Sequence, residues 1–141
     1  MPQVESKFLK SLRTGTTLAD GGIGSLIFQL TGRLASSDFL YEAINLRNPQ
    51  LIKGIYSSSM AAGATVLTTN TFSANETELT VAGAENQVTQ INKAAVTIAR
   101  EAIKEHRTEY PGDKNDIFVI GSIGPGGDTV ESYSTQIDAL I

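Results

Sequence analysis

The chain has 141 residues, 40% of them apolar, which is enough for one compact domain with an ordinary core and too few for two. Eleven Lys and Arg against fifteen Asp and Glu leave a formal charge of -4, so there is no broad basic field to draw nucleic acid. The absence of cysteine excludes disulfides, thiolate nucleophiles and Cys-based zinc sites built from these residues, and no stretch reaches the ~20 apolar residues that span a bilayer. The amino terminus lacks the apolar run of a signal peptide, and a cytoplasmic location is expected.

In chain order, Val4, Phe8, Leu9 and Leu12 fall at helical spacing, and Gly15 follows as a stop. Thr16 to Asp20 reads as a short strand that ends in a turn carrying Gly21, Gly22 and Gly24. Asn48-Pro49 opens a helix: Asn48 can cap it, and Pro49 sits in the first turn where its missing N–H costs nothing. Leu51, Ile52, Ile55, Tyr56 and Met60 form its predicted buried stripe, and Gly63 suits the left-handed residue past its end. Ala64 to Thr68 is β-prone and too short for a helix, so it predicts the second strand, carried on by Thr69 to Phe72.

A long helix is predicted from about Glu85 to His106, with Val88, Ile91, Ala95, Ile98, Ala102 and Ile103 on one face. His106 is expected to be solvated near the negative end of that helix, and Glu76 to Glu78 and Asp113 to Asp116 to be solvated loop and first-turn helix residues. After the break at Pro111-Gly112, Asp116 to Ile120 predicts a third strand buried on both faces, and a further helix starts near Val130. Strands joined through helices imply parallel pairing, with the chemistry in the loops at the carboxyl ends of the strands. Here those loops are Asp20-Gly-Gly, Thr69-Asn-Thr-Phe and Gly121-Ser-Ile-Gly-Pro.

These segments, in this order, resemble the N-terminal part of the homocysteine-binding domain shared by homocysteine S-methyltransferases, betaine–homocysteine methyltransferases and cobalamin-dependent methionine synthases. Leu18-Ala-Asp-Gly-Gly-Ile-Gly-Ser25 is similar to the family's opening strand and turn, and Glu42 through Pro49 to the segment before its first long helix. The strongest piece is Ala61-Ala-Gly-Ala-Thr-Val-Leu-Thr-Thr-Asn-Thr-Phe-Ser-Ala-Asn75, followed by Ile91-Asn-Lys-Ala-Ala and Val119-Ile-Gly-Ser-Ile-Gly-Pro125. The resemblance implies an α/β fold that is the N-terminal part, about three βα units, of a (β/α)8 TIM barrel; a whole barrel needs ~250 residues. On this reading residues 1–141 are the N-terminal portion of a homocysteine-binding domain.

The implied activity is methyl transfer to the zinc-activated thiolate of L-homocysteine, giving methionine, since a bound metal keeps a thiol ionised at neutral pH. The implied zinc belongs to the complete domain, and its cysteine ligands are absent from this chain. The implied partners are L-homocysteine and a methyl donor, with S-methylmethionine, S-adenosylmethionine, betaine and methyl-folate all open. Carried over position by position, Asp20 faces the substrate ammonium, Gly21 and Gly22 let the backbone approach, Thr69, Asn70 and Thr71 line the pocket from the second strand, and Ser122 and Gly124 line it from the third. Tyr41 falls near a tryptophan that many relatives carry at the pocket edge. No catalytic residue and no metal ligand is assigned within the chain.

Other readings stand beside this one. On turn chemistry alone Asp20-Gly-Gly is a plain turn, and Thr69-Asn-Thr can simply satisfy backbone groups at a strand end. Gly121 to Gly127 lacks the Lys-Ser/Thr ending of a phosphate-binding loop, and a flavodoxin-like domain needs five strands where three are predicted. The alternative to an enzyme is a non-catalytic, truncated barrel acting as a binding or structural module. An incomplete barrel exposes a strand edge, so self-association or pairing with the missing portion is expected.

Overall fold

A computed structural model describes residues 5–126 and 131–141. Val4 and Val130, expected in the first and last helices, and Gly127 of the third loop lie outside the described residues. The elements run α1 (Lys7–Thr14), α2 (Ile23–Thr31), α3 (Ile44–Arg47), α4 (Pro49–Ala61), β1 (Val66–Thr68), α5 (Glu76–Val81), a 3-10 turn (Glu85–Gln87), α6 (Val88–Glu109), β2 (Phe118–Ile120) and α7 (Glu131–Leu140). β1 and β2 pair in parallel with Val66 opposite Phe118 and Thr68 opposite Ile120, and α6 makes the crossover between them.

The predicted first strand is reduced to a single parallel bridge between Ala19 and Val66. Thr65 and Val66 both donate to Leu18 O, and Asp20 N donates to Val66 O at 2.9 Å, after which the chain turns away at Gly21. Among the described residues the sheet therefore has two regular strands, where three were expected.

The sequence cues for α4 hold in detail. Asn48 accepts from Leu51 N at its N-cap, Pro49 occupies the first turn, and Gly63 has φ of 98°. Ile52, Ile55, Tyr56 and Met60 of α4 pack with Ile98, Ala99 and Ala102 of α6, Leu67 of β1, and Ile27 of α2 to form the main core. Each large apolar side chain fully buried there contributes about 1.5–3 kcal/mol. A smaller cluster of Ala74, Leu79, Val88 and Ile91 fixes α5 against the start of α6.

β2 departs from expectation, since all three of its residues are half-buried rather than enclosed on both faces. Ile117 and Val119 lean on the main core, whereas Phe118 packs T-shaped against the Phe8 ring, 5.2 Å between centroids. His106 also differs: it is buried at 7% exposure, and its Nε2 lies 3.0 Å from Asp113 Oδ2. The Pro111-Gly112 turn brings Asp113 back under the helix end, and Arg107 ties down the same turn by donating to Asp113 O. Among the described residues no helix is long and apolar enough to cross a membrane.

Candidate functional site

The polar rim expected from the sequence gathers where β1 and β2 end. Asp20, just past the bridge, accepts from Thr68 N at Oδ2 and from Thr68 Oγ1 at Oδ1, both at 2.8 Å. Burial raises its pKa above the ordinary carboxylate value, opposed by the two Thr68 hydrogen bonds. Tyr56 reaches the same strand end from α4 and donates to Thr68 O at 3.0 Å. Its phenol is pushed well above its usual range, first by burial and then by the Asp20 charge. Nothing lies within 4 Å of where a Cβ would stand on Gly21, and Gly22 is the N-cap of α2 with no side-chain cap bond.

Thr69 and Thr71 form a closed ring with Ser122. Ser122 N donates to Thr69 Oγ1 at 3.0 Å, the two threonine hydroxyls are 2.7 Å apart, and Thr71 Oγ1 donates to Ser122 O at 2.7 Å. Because the Thr71 hydrogen is committed to Ser122 O, the bond between the hydroxyls must run from Thr69 to Thr71. Every proton in the ring is thereby assigned. Both threonine side chains are sealed from solvent and fasten the start of the third loop. Gly124 continues that loop, and a Cβ there would stand 2.5 Å from Phe72 O and 3.0 Å from the Phe72 ring, so only glycine allows the Gly124 N to Phe72 O bond at 2.9 Å. Gln136 of α7 donates to Thr71 O at 2.7 Å, and Thr77 bonds Gly126 O.

Asn70 points differently from its two neighbours. Its Nδ2 donates to Tyr41 O at 2.6 Å and to Asn45 Oδ1 at 3.1 Å, while Asn45 Nδ2 donates back to Asn70 O at 2.8 Å. These bonds tie β1 to α3. A cleft of about 530 Å³ opens beside this pair, lined by Asn70, Phe72, Tyr41, Glu42, Ser73 and Glu78 among others. Of the eight residues expected in the site, Asn70 alone lines this cleft. Asp20 and Thr68 form one cluster, Thr69, Thr71 and Ser122 a second, and Asn70 a third.

Glu42 and Asn45 were not predicted as site residues. Nothing in their spacing marks them, because their role depends on α3 docking against the end of β1 and the side of α6, where Asn45 also reaches Ile91 O. Tyr41, expected at the pocket edge, is in the cleft wall; its ring lies 3.4 Å from the Cβ position of Gly24, and its hydroxyl donates to Arg33 O.

The residues present do not fit a zinc centre. The sequence has no cysteine, and no three His, Asp or Glu side chains among the described residues cluster to hold a metal ion.

Parallel strands joined through a helix, with a polar rim at their carboxyl ends, define an α/β protein. The match to known structures is to about half of a homocysteine methyltransferase barrel. The oxidized form of MmuM from Escherichia coli superposes with a TM-score of 0.77 at 24% identity, over 92% of this chain and 50% of that one. Its metallated form gives 0.76 at 25% identity, over 92% and 51%. A methionine synthase from Mycobacterium leprae is 27% identical over a 129-residue alignment that covers 88% of this chain and 10% of that protein. The chain belongs to the homocysteine S-methyltransferase family, whose model matches residues 17–140.

Proposed function

We propose that this chain supplies the amino-acid-binding part of a homocysteine pocket, in an enzyme that transfers a methyl group to the homocysteine sulfur to form methionine. Family membership supports the substrate, and Asp20 carries the assignment to residues. Its carboxylate is half-buried and held at both oxygens by Thr68, yet each oxygen keeps a second lone pair for a hydrogen of the substrate ammonium. A cation there would offset the cost of burying the charge, the same cost that raises the Asp20 pKa. The open space over Gly21 leaves room for the amino-acid end of the ligand beside it.

On this reading the ring of Thr69, Thr71 and Ser122 sets the position of the third loop, and Ser122 and Gly124 present backbone to the pocket. Thr69 and Thr71 act through that loop, because their hydroxyls are already bonded to each other and to Ser122. A zinc-bound thiolate, implied by the resemblance, requires ligands from residues other than these.

The test is calorimetric titration with L-homocysteine and with 4-mercaptobutyrate, which has the thiol and the carboxylate but no ammonium. The expected result is tighter binding of homocysteine, with the difference abolished in Asp20→Asn. Equal binding of the two ligands by the wild-type chain would overturn the assignment of Asp20.

A further inference from the structure

The less exposed face of α7 carries Tyr133, Gln136, Ile137 and Leu140, one helical stripe with a polar side chain at its centre. Gln136 is 1% exposed. Its Nε2 donates to Thr71 O at 2.7 Å, and its Oε1 is sealed with no partner among the described residues. The amide orientation is fixed, because a flip would set Oε1 against Thr71 O. Leucine or methionine would fill this position without leaving a sealed acceptor unmatched, so the docking of α7 does not by itself account for a glutamine.

The cost of sealed acceptors falls at one place. Asn92 Oδ1 is the other side-chain atom sealed without a partner among the described residues, and Asn92 Nδ2 donates to Ala74 O. The two half-satisfied amides therefore hold the two ends of a single turn, Thr71 to Ala74, just past the carboxyl end of β1. Asn92 also bonds Val88 O of its own helix, whereas Gln136 reaches across to the turn from α7.

That turn carries the third loop, since Thr71 Oγ1 donates to Ser122 O and Phe72 O accepts from Gly124 N. The same helix meets both ends of the loop: Gly126 N donates to Tyr133 Oη at 3.0 Å, and Leu140 Cδ1 stands 3.0 Å from where a Cβ would sit on Gly121. Thr71 O does not need Gln136 to be satisfied, because Ala74 N reaches it at 3.0 Å. What the glutamine adds is a fixed position for the turn relative to α7.

We propose that Gln136 is a positioning residue for the homocysteine pocket. Through Thr71 O it sets the turn, the ring with Ser122, and hence the backbone that Ser122 and Gly124 present. The proposal rests on the reading of those two residues as pocket backbone, and Gln136 itself touches no ligand.

The test is Gln136→Met in the whole chain, which keeps the length of the side chain and removes the bond to Thr71 O together with the sealed acceptor. Stability in urea should be unchanged or raised. Amide exchange at Ser122 and Gly124, followed by ¹H–¹⁵N NMR without ligand, should quicken about fivefold, and calorimetric affinity for L-homocysteine should fall about fivefold, the factor that one ordinary hydrogen bond represents. Added to Thr71→Val, in which the ring is already open, Gln136→Met should weaken binding less than it does alone.

Unchanged exchange at Ser122 and Gly124, an equal rise in exchange throughout a destabilised chain, or the same loss of affinity in both backgrounds would overturn the proposal. If Gln136→Met does not fold, native-state exchange of the wild-type chain in rising urea decides. There α7 and the third loop should open as one unit before α4 and α6, and loop amides that stay protected after α7 has opened would overturn the proposal. A wild-type chain that does not bind homocysteine overturns the proposed function alone, and the ligand-free exchange then decides the role of Gln136.

Discussion

The ring formed by Thr69, Thr71 and Ser122 makes a quantitative prediction. Thr71→Val keeps the shape of the side chain and breaks two of the three bonds, leaving Ser122 O and the Thr69 hydroxyl hydrogen unmatched. Thr69→Val also breaks two, leaving Ser122 N–H and a Thr71 lone pair. The double variant breaks three and not four, because the bond between the hydroxyls is shared. With a net value of about 1 kcal/mol for each bond, each single variant loses about 2 kcal/mol and the double about 3. The coupling energy is therefore about 1 kcal/mol, and greater if the ring is cooperative. Urea denaturation followed by circular dichroism measures all four corners of the cycle, with unchanged m-values as the check that only stability has moved. Additivity within about 0.3 kcal/mol would refute the ring as drawn.

Three further outcomes are expected. Gly124→Ala drives a Cβ to within 2.5 Å of Phe72 O and should cost about 1–3 kcal/mol in the same urea assay; a neutral result would mean that the third loop is not held against Phe72. Tyr56→Phe removes the hydroxyl that bonds Thr68 O and should cost about 1 kcal/mol, and a more stable variant would contradict that bond. Asp20 and Asp113 should give pH dependences of opposite sign when each is compared with its Asn variant. The folded pKa of Asp20 is raised, so its contribution is fully present below the unfolded value and is lost as pH rises through the folded one. The pKa of Asp113 is lowered, first by Asn115 N–H and then by His106, so its contribution is present above the unfolded value and lost as pH falls through the folded one. Stability curves of equal sign would sink that assignment.

Helical periodicity made α4 and α6 readable from residues alone, because the Asn48-Pro49 cap of α4 and the Val88 to Ala102 face of α6 are local signals. The α2 helix escaped because its N-cap is Gly22 and its first turn contains Gly24, so glycine chemistry pointed to a turn. The start of the short α5 is legible in its carboxylates, since Glu76 and Glu78 stand in its first turn, and Asn75 caps that turn by accepting from Glu78 N. His106 follows Ala102 by four residues on the buried face of α6, but its partner Asp113 lies past a Pro-Gly break that a single-helix reading does not cross. The loops of the candidate site were legible through family resemblance. Their division into three separate hydrogen-bonded clusters was not, since it depends on which strand-end side chains face the protein and which face open space.

The assigned direction of every proton in the Thr69–Thr71–Ser122 ring bears on the thermodynamics of ligand capture. The start of the third loop is ordered when the chain folds, before any ligand arrives, so the conformational entropy of that segment belongs to folding and not to association. Binding at this rim should then show little of the large opposing enthalpy and entropy that accompany the ordering of a loose loop. A variant that opens the ring would move that entropy into the binding step, weakening affinity without removing a single atom that the ligand touches.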